Sequence, residues 1–170
     1  EKKSEVILNP ETRKVIRRNF NQFGEIKFNI KESESVSEQD ISLAYTNELI
    51  SKNLVLKKWD SKVDSFLDRI EFINQNYPDY GISPFDEGNR DQLFAEVCSG
   101  AKSWKEIKNK EVLPVLMNMY SREELDLLQQ AAPKDFVLSN NKRAYRIIYN
   151  CTKAFIRVKI QDLYDVQNHP

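Results

Sequence analysis

The stretch SEVILNPETRKVIRRNFNQFGEIKFNI, residues 4–30, decides how the first part of the chain folds. β-branched, aromatic and aliphatic residues gather in three runs typical of strands, at residues 4–8, 14–20 and 26–30. Asn9-Pro10 separates the first two runs and Gly24 the last two, and both are turn chemistry because proline presets φ and glycine tolerates positive φ. The stretch therefore predicts a three-stranded antiparallel meander.

From Ser37 onward the apolar residues recur at helical spacing. Three serines are each followed three residues later by an acidic residue, the spacing of an N-terminal capping box: Ser37, Ser103 and Ser121. We expect five or six helices here, one of them running from about Asp60 to Asn76. After Ala132-Pro133, strand-like runs resume at residues 136–138, 144–149 and 153–160, and 161–164 suits a helical turn.

Three strands, a helical stretch and two or three further strands follow the order of a five-stranded Greek-key barrel of the OB type. We therefore predict an α+β fold in which an OB-like, partly closed antiparallel β-barrel forms from both chain ends, residues 5–31 and 134–165. An inserted helical subdomain, residues 36–133, would connect the third and fourth strands. The alternative places each β segment in a separate unit, although three strands with one apolar face are marginal by themselves.

Composition bounds the class of protein. The 170 residues are 40% hydrophobic and 31% charged with four glycines, as in helix-rich soluble proteins. No apolar run approaches the roughly 20 residues that a membrane helix needs, and no leader peptide is recognisable, so we expect a cytoplasmic protein without membrane contact. Because the sequence starts at Glu1 in strand-like residues, we also expect a piece of a longer protein.

The charge is unevenly distributed along the chain. Lysine plus arginine and aspartate plus glutamate number 26 each. Residues 1–31 hold eight basic and four acidic side chains, and residues 134–170 hold seven and three, so each end carries +4. The interior 32–133 then carries −8, and such asymmetry concerns partners rather than fold.

No catalytic or cofactor motif is recognisable. The glycines lack the context of a phosphate-binding loop, so this chain by itself is expected neither to turn over ATP nor to be an enzyme. The only histidine, His169, is next to the terminus, where it fits an exposed tail. Cys98 on an apolar helical face favours a buried reduced thiol, and neither cysteine indicates a metal site.

Basic residues near the predicted strands are the feature that indicates a ligand. In an OB-like barrel the first-to-second and fourth-to-fifth strand loops flank the nucleic-acid groove, which would place Arg13, Lys14 and Lys153 on one rim. The alternative is that cations on a strand keep an exposed face solvated and protect an edge. The candidate nucleic-acid-binding residues are Arg13, Lys14, Arg17, Arg18, Lys142, Arg143, Lys153, Arg157 and Lys159.

Three stretches in order resemble a known family. AAPKDFVLSNNKRAYRIIY followed by VKIQDLY, the basic SEVILNPETRKVIRRNFNQFGEIKFN, and LAYTNELISKNLVLKKWDS before SFLDRIEFINQNYPD are similar to the C-terminal region of HrpB-type bacterial ATP-dependent helicases, a DEAH-box group. The resemblance runs from about Glu5 to Pro170. Two departures are Asp165 and Asn140-Asn141 where the family carries glycine, and Asn and Asp tolerate left-handed backbone.

The resemblance implies a non-catalytic accessory region that helps to hold single-stranded RNA or DNA. ATP and Mg²⁺ would then bind only in motor lobes elsewhere in the same parent chain, which would also be partners of this region. The alternative is a structural or regulatory module that docks on the parent helicase or another protein without touching nucleic acid.

Overall fold

The computed structural model describes residues 1–138 and 142–163. Within those ranges the strands are β1 Lys2–Leu8, β2 Val15–Phe23, β3 Ile26–Ser33, β4 Asp135–Val137, β5 Ala144–Tyr149 and β6 Ala154–Ile156. The α-helices are α1 Glu38–Ile50, α2 Ser61–Asn76, α3 Glu87–Cys98, α4 Trp104–Asn109, α5 Val112–Met117 and α6 Arg122–Ala131. Every helix in the described part is too short or too polar to traverse a lipid bilayer.

The first sheet is the predicted meander. β2 is central and pairs antiparallel with β1 on one side and with β3 on the other. The Asn9 side chain shapes the β1–β2 turn, because its Oδ1 accepts from the backbone N–H groups of Glu11 and Thr12 at 3.0 and 3.1 Å. A register shift between Asn19 and Asn21 marks an irregularity in the β2–β3 pairing. The three predicted strands are thus confirmed.

The second sheet is smaller. β5 is central and pairs antiparallel with β4 and β6, which have three residues each. The last strand was predicted to reach residue 160 but ends at Ile156, and a 3-10 turn at Ile160–Leu163 follows. The helical turn after the strand is confirmed for its described part. Expectations about Asn140-Asn141, Tyr164, Asp165 and His169 lie outside the described residues.

The single OB-like barrel is not found. Within residues 1–138 and 142–163 the strands of the two chain ends form two separate three-stranded sheets, and no closed barrel is present. The reason lies in what covers each sheet. α1 packs against β1 and β2, and α2 packs against β5, so each small sheet gains apolar cover from a helix of its own unit.

The predicted division placed all helices in one insert, residues 36–133, beside a barrel. The helices are instead divided between two compact units. One compact unit comprises Glu1–Trp59 with Glu87–Val115, and the other Asp60–Asp86 with Leu116–Pro170. Each unit combines one sheet with helices. The fold is therefore α+β, as predicted, with the helical segments divided between two sheets.

In the first unit α1 packs on α3 as well as on the sheet. The fully buried side chains of this unit include Tyr45 on α1 and Leu93, Val97 and Cys98 on α3. Cys98 is a free buried thiol, as predicted, and burial raises its pKa. In the second unit α2 supplies a buried stripe at helical spacing, made of Val63, Phe66, Ile70 and Ile73.

The predicted helix starts are confirmed by their hydrogen bonds. The Ser37, Ser103 and Ser121 hydroxyl oxygens each accept from the backbone N–H three residues later. At Ser121 the carboxylate of Glu124 also accepts from the serine backbone N–H, which completes a capping box. Asp60 caps α2 in the same manner, so four helix starts follow directly from local sequence.

Candidate nucleic-acid interface

The nine predicted cations fall into two sets, one in each unit. Arg13, Lys14, Arg17 and Arg18 belong to the first unit, whereas the remaining five belong to the second. Arg13 and Lys14 lie at the β1–β2 turn, and Lys153 lies in the β5–β6 turn of the other sheet. The common rim predicted for these three residues assumed one shared barrel, which is not found in the described residues, and the rim stays a prediction.

Two of the predicted cations are engaged in ion pairs along β2. Arg18 lies directly opposite Glu5 on β1 and Glu32 on β3, and its guanidinium is 2.9 Å from the Glu32 carboxylate. Arg17 Nη2 lies 3.2 Å from Asp40 Oδ2 near the start of α1. These cross-element pairs hold the sheet and α1, so these two arginines fit the structural alternative better than phosphate contact.

The predicted cations of the second unit are largely at the surface. Lys142, Lys153, Arg157 and Lys159 are exposed. Arg143 Nη1 lies 3.3 Å from Asp162 Oδ1, which joins the start of β5 to the 3-10 turn. The four exposed side chains named first are accessible to a ligand.

Arg13 and Lys14 line a cleft of about 520 Å³ in the first unit. Three further lysines line the same cleft, at 102, 105 and 108, on α4 and just before it. Only one carboxylate, that of Glu34, is among the lining residues, against five cations. The cleft is therefore strongly positive within a chain whose total charge is zero.

Two aromatic residues form part of the cleft lining. Tyr45 and Trp104 lie with ring centroids 6.0 Å apart. The Tyr45 hydroxyl donates to the Arg13 carbonyl at 2.8 Å and accepts from the Trp104 backbone N–H at 3.1 Å. Burial raises the pKa of Tyr45, so its hydroxyl stays protonated as a donor. One buried side chain thereby ties the β1–β2 turn to the start of α4 and fixes the separation of the two cationic segments.

The backbone at Arg13 is unusual. Its φ of 54° lies in the left-handed region, which a side-chain-bearing residue other than Asn or Asp rarely adopts. The conformation is held by the bond from Tyr45 and by the Arg13 N–H, which donates to the Asn9 carbonyl at 2.8 Å. Backbone strain that is fixed by its surroundings is common at binding sites. Here it places a guanidinium at the cleft.

The cleft cations differ in how far they are neutralised. Lys14 Nζ lies 2.9 Å from Glu34, but both side chains are largely exposed, so this pair is weak. Lys102 Nζ lies 3.8 Å from Glu38, also at the surface. Arg13, Lys105 and Lys108 make no ion pair with another residue of the described ranges. Three charges thus remain for an anionic ligand.

Sequence reasoning found Arg13 and Lys14 but missed the three lysines at 102, 105 and 108. Their segment belongs to an interior with net charge −8, and that average concealed a local cluster. The available signal is their spacing of three residues, which places side chains on one face of a helix. Phe20 and Tyr149, two aromatic residues of the strands, are buried and so are not available to stack on bases.

A second concave surface lies on the first sheet. It encloses about 920 Å³ and is lined by lysines at 2, 3 and 31 and by Asn19, Asn21 and Asn29. Lys27 Nζ lies 4.5 Å from the centre of the Phe20 ring, so one face of that ring is covered. Within the described residues no three His, Cys, Asp or Glu side chains are placed to hold a metal ion.

Comparison with known proteins gives both sequence and structural matches. Residues 93–170 match the family model described as ATP-dependent helicase C-terminal, HrpB_C. The crystal structure of Escherichia coli DEAH/RHA helicase HrpB matches at a TM-score of 0.73 and 14% identity, covering 100% of this chain and 22% of that one. The crystal structure of E. coli DExH-box NTPase HrpB matches at 0.71 and 16%, covering 96% and 21%. No curated protein matches.

The chain thus spans about a fifth of the length of the solved structures that it matches. The structural similarity concerns the fold and extends beyond the residues of the family match. Together the two findings confirm the resemblance predicted from the sequence.

Proposed function

We propose that this chain, which matches the C-terminal region of HrpB-type ATP-dependent helicases through residues 93–170, is an accessory part that holds single-stranded RNA or DNA. The chemistry of ATP hydrolysis, with Mg²⁺, is assigned in this proposal to motor lobes elsewhere in the same parent protein. The accessory region itself is non-catalytic and acts in the cytoplasm. Its partners are a single strand and those motor lobes.

The observation that supports the proposal is the cationic cleft of the first unit. Five basic side chains and one carboxylate line it, and three of the cations make no ion pair with a described residue. A nucleic-acid backbone carries one negative charge per nucleotide, and its neutralisation by lysine and arginine releases counterions, which favours binding. Because the chain is neutral overall, the attraction comes from this local cluster and not from net charge.

The exposed cations of the second unit extend the same proposal. Lys153, Arg157 and Lys159 follow one another along the β5–β6 turn, β6 and the segment after it. Three exposed cations on a short, extended segment suit further contacts along a flexible backbone. We assign them a secondary role, since the first-unit cleft combines more cations with a defined concave shape.

One observation favours protein docking as a second candidate function. β3 is exposed along its whole length, and Phe23, Ile26, Phe28 and Ile30 at or near it present large apolar side chains to the surface. Exposed apolar patches of this kind are typical of protein contacts. Docking through β3 and strand binding at the cleft use different residues, so charge reversal in the cleft separates them.

Fluorescence anisotropy with a labelled single strand of about 12 nucleotides tests the proposal. We expect a Kd of about 10⁻⁴ to 10⁻⁶ M at low salt, of the order of non-specific binding. The double variant Arg13→Glu and Lys14→Glu should weaken binding at least about tenfold because two phosphate contacts become repulsive. Both side chains are exposed, so the fold should persist by circular dichroism.

The matched control reverses two exposed lysines outside the cleft, Lys57→Glu and Lys62→Glu, and changes the net charge equally. It should retain most of the wild-type affinity. If the wild-type chain gives no anisotropy change at low salt, the nucleic-acid function is refuted and docking through β3 becomes the better account.

A further inference from the structure

The Trp104 side chain has an unused hydrogen-bond donor beside the cationic cleft. Trp104 lines the cleft and is 7% exposed, and its indole Nε1–H is buried without a partner among the described residues. Buried donors in native proteins are nearly always satisfied, and an unsatisfied one costs about 1–3 kcal/mol. The backbone N–H of the same residue is already bonded to Tyr45, so only the indole remains unused.

The neighbouring cations on α4 share a face of that helix. Lys105 and Lys108 are three residues apart, both are exposed, and neither is ion-paired with a described residue. The acidic residue between them, Glu106, is engaged elsewhere, because its Oε2 accepts from the Lys102 backbone N–H at 3.0 Å. That carboxylate keeps its charge but forms no ion pair with Lys105 or Lys108.

We propose that Arg13, Lys105, Lys108 and the Trp104 indole form a phosphate subsite, which takes a backbone phosphodiester of a single strand. The inference rests on the proposed nucleic-acid function and names the residues that carry it out. A phosphodiester carries one negative charge shared by two oxygens, which accept several hydrogen bonds, and this suits a site with three cations and one neutral donor.

Tyr45 positions this subsite without touching the ligand. Both of its hydroxyl bonds go to backbone groups, those of Arg13 and Trp104. The distance between the turn that carries the guanidinium and the helix that carries the lysines is thereby set before a strand arrives. A site organised in advance loses less conformational entropy on binding.

The chain has two tryptophans, so Trp59→Phe leaves Trp104 as the single indole reporter in the full 170-residue chain. In ¹⁵N-indole NMR we expect the Trp104 N–H resonance to shift on addition of a single strand of about 12 nucleotides. Inorganic pyrophosphate should move the same resonance at higher concentration, because it offers the phosphate group without bases. Polyglutamate serves as the probe for an acidic peptide.

Two sets of variants complete the test by anisotropy. Lys105→Glu with Lys108→Glu should weaken strand binding at least about tenfold and remove the resonance shift, whereas the control Lys57→Glu with Lys62→Glu should do neither. Trp104→Phe keeps an aromatic ring but removes the donor, and should weaken binding about threefold to tenfold without unfolding the chain.

The outcomes distinguish the subsite from the function on which it rests. Strand binding with a stationary Trp104 resonance and wild-type affinity in the α4 double variant overturns the subsite and leaves the proposed function standing. Absence of strand binding by the wild-type chain overturns both. A resonance shift with polyglutamate and none with the strand or pyrophosphate assigns the cleft to an acidic peptide and also overturns the proposal.

Discussion

Replacing Arg69 with alanine should lower the free energy of unfolding by about 3–4 kcal/mol. Arg69 is 2% exposed, and its guanidinium caps the C-terminus of α6. Nε donates to the Ala132 carbonyl at 2.6 Å, and Nη2 donates to the Leu128 carbonyl and to Gln129 Oε1. Burial lowers the pKa of Arg69, while Tyr149 and Asp135 oppose that shift. Removing the side chain leaves two carbonyls at a helix C-terminus without these donors.

Urea denaturation followed by circular dichroism measures the Arg69 effect, with hydrogen exchange at α6 as a local readout. Arg69→Met keeps an apolar stem but no donors, so it should recover only the packing part of the loss. The control is Arg122→Ala, whose side chain is 95% exposed and should cost less than about 0.5 kcal/mol. An Arg69→Met protein as stable as the wild type would show that the capping bonds contribute nothing net.

Stability should fall by about 2 kcal/mol between pH 10 and pH 12 through Tyr120. Burial, with smaller contributions from Glu124 and Asp86, raises the pKa of Tyr120 from 10.0 to about 12. Between these values the unfolded chain loses the phenolic proton while the folded chain keeps it. The contribution is fully present below pH 10 and is lost as the pH rises through about 12.

Urea midpoints measured across this pH range test the Tyr120 effect. Tyr120→Phe keeps the edge-to-face contact with Phe66, whose ring centroid is 5.7 Å away, but removes the titrating group. The variant should show a shallower pH dependence. Some dependence will persist, since burial also raises the pKa values of Tyr45 and Tyr149. An identical pH dependence in variant and wild type would contradict the assignment to Tyr120.

Elements with strong local signals were predictable from the sequence. β5 has the predicted bounds, Ala144–Tyr149, because a run of β-branched and aromatic residues is flanked by polar turns. The starts of α1, α2, α4 and α6 follow from single capping side chains. In each case the deciding contacts lie within a few residues of one another.

The arrangement of the sheets was not predictable in the same way. Which strands share a sheet depends on pairing between distant segments, and the strand order fits one barrel as well as two separate sheets. The separate-unit alternative, considered less favourable because small sheets are marginal, describes the observed topology. The two small sheets are stable as separate sheets because α1 and α2 cover them.

Only part of the candidate site was predictable from local sequence, for the same reason. Arg13 and Lys14 were predictable from a basic turn between two strands. The lysines of α4 belong to the same cleft only because the Tyr45 hydroxyl bonds to segments near residues 13 and 104. Such a contact joins residues far apart in sequence, and no local pattern indicates it.

The salt dependence of single-strand binding tests the central claim most directly. If the five cations that line the cleft neutralise about three phosphates of the strand, the logarithm of the association constant should fall against the logarithm of salt with a slope of about −2. Between 50 and 200 mM salt that slope weakens binding about twentyfold. Binding that is absent at low salt, or that does not change across this range, would contradict a phosphate-binding cleft.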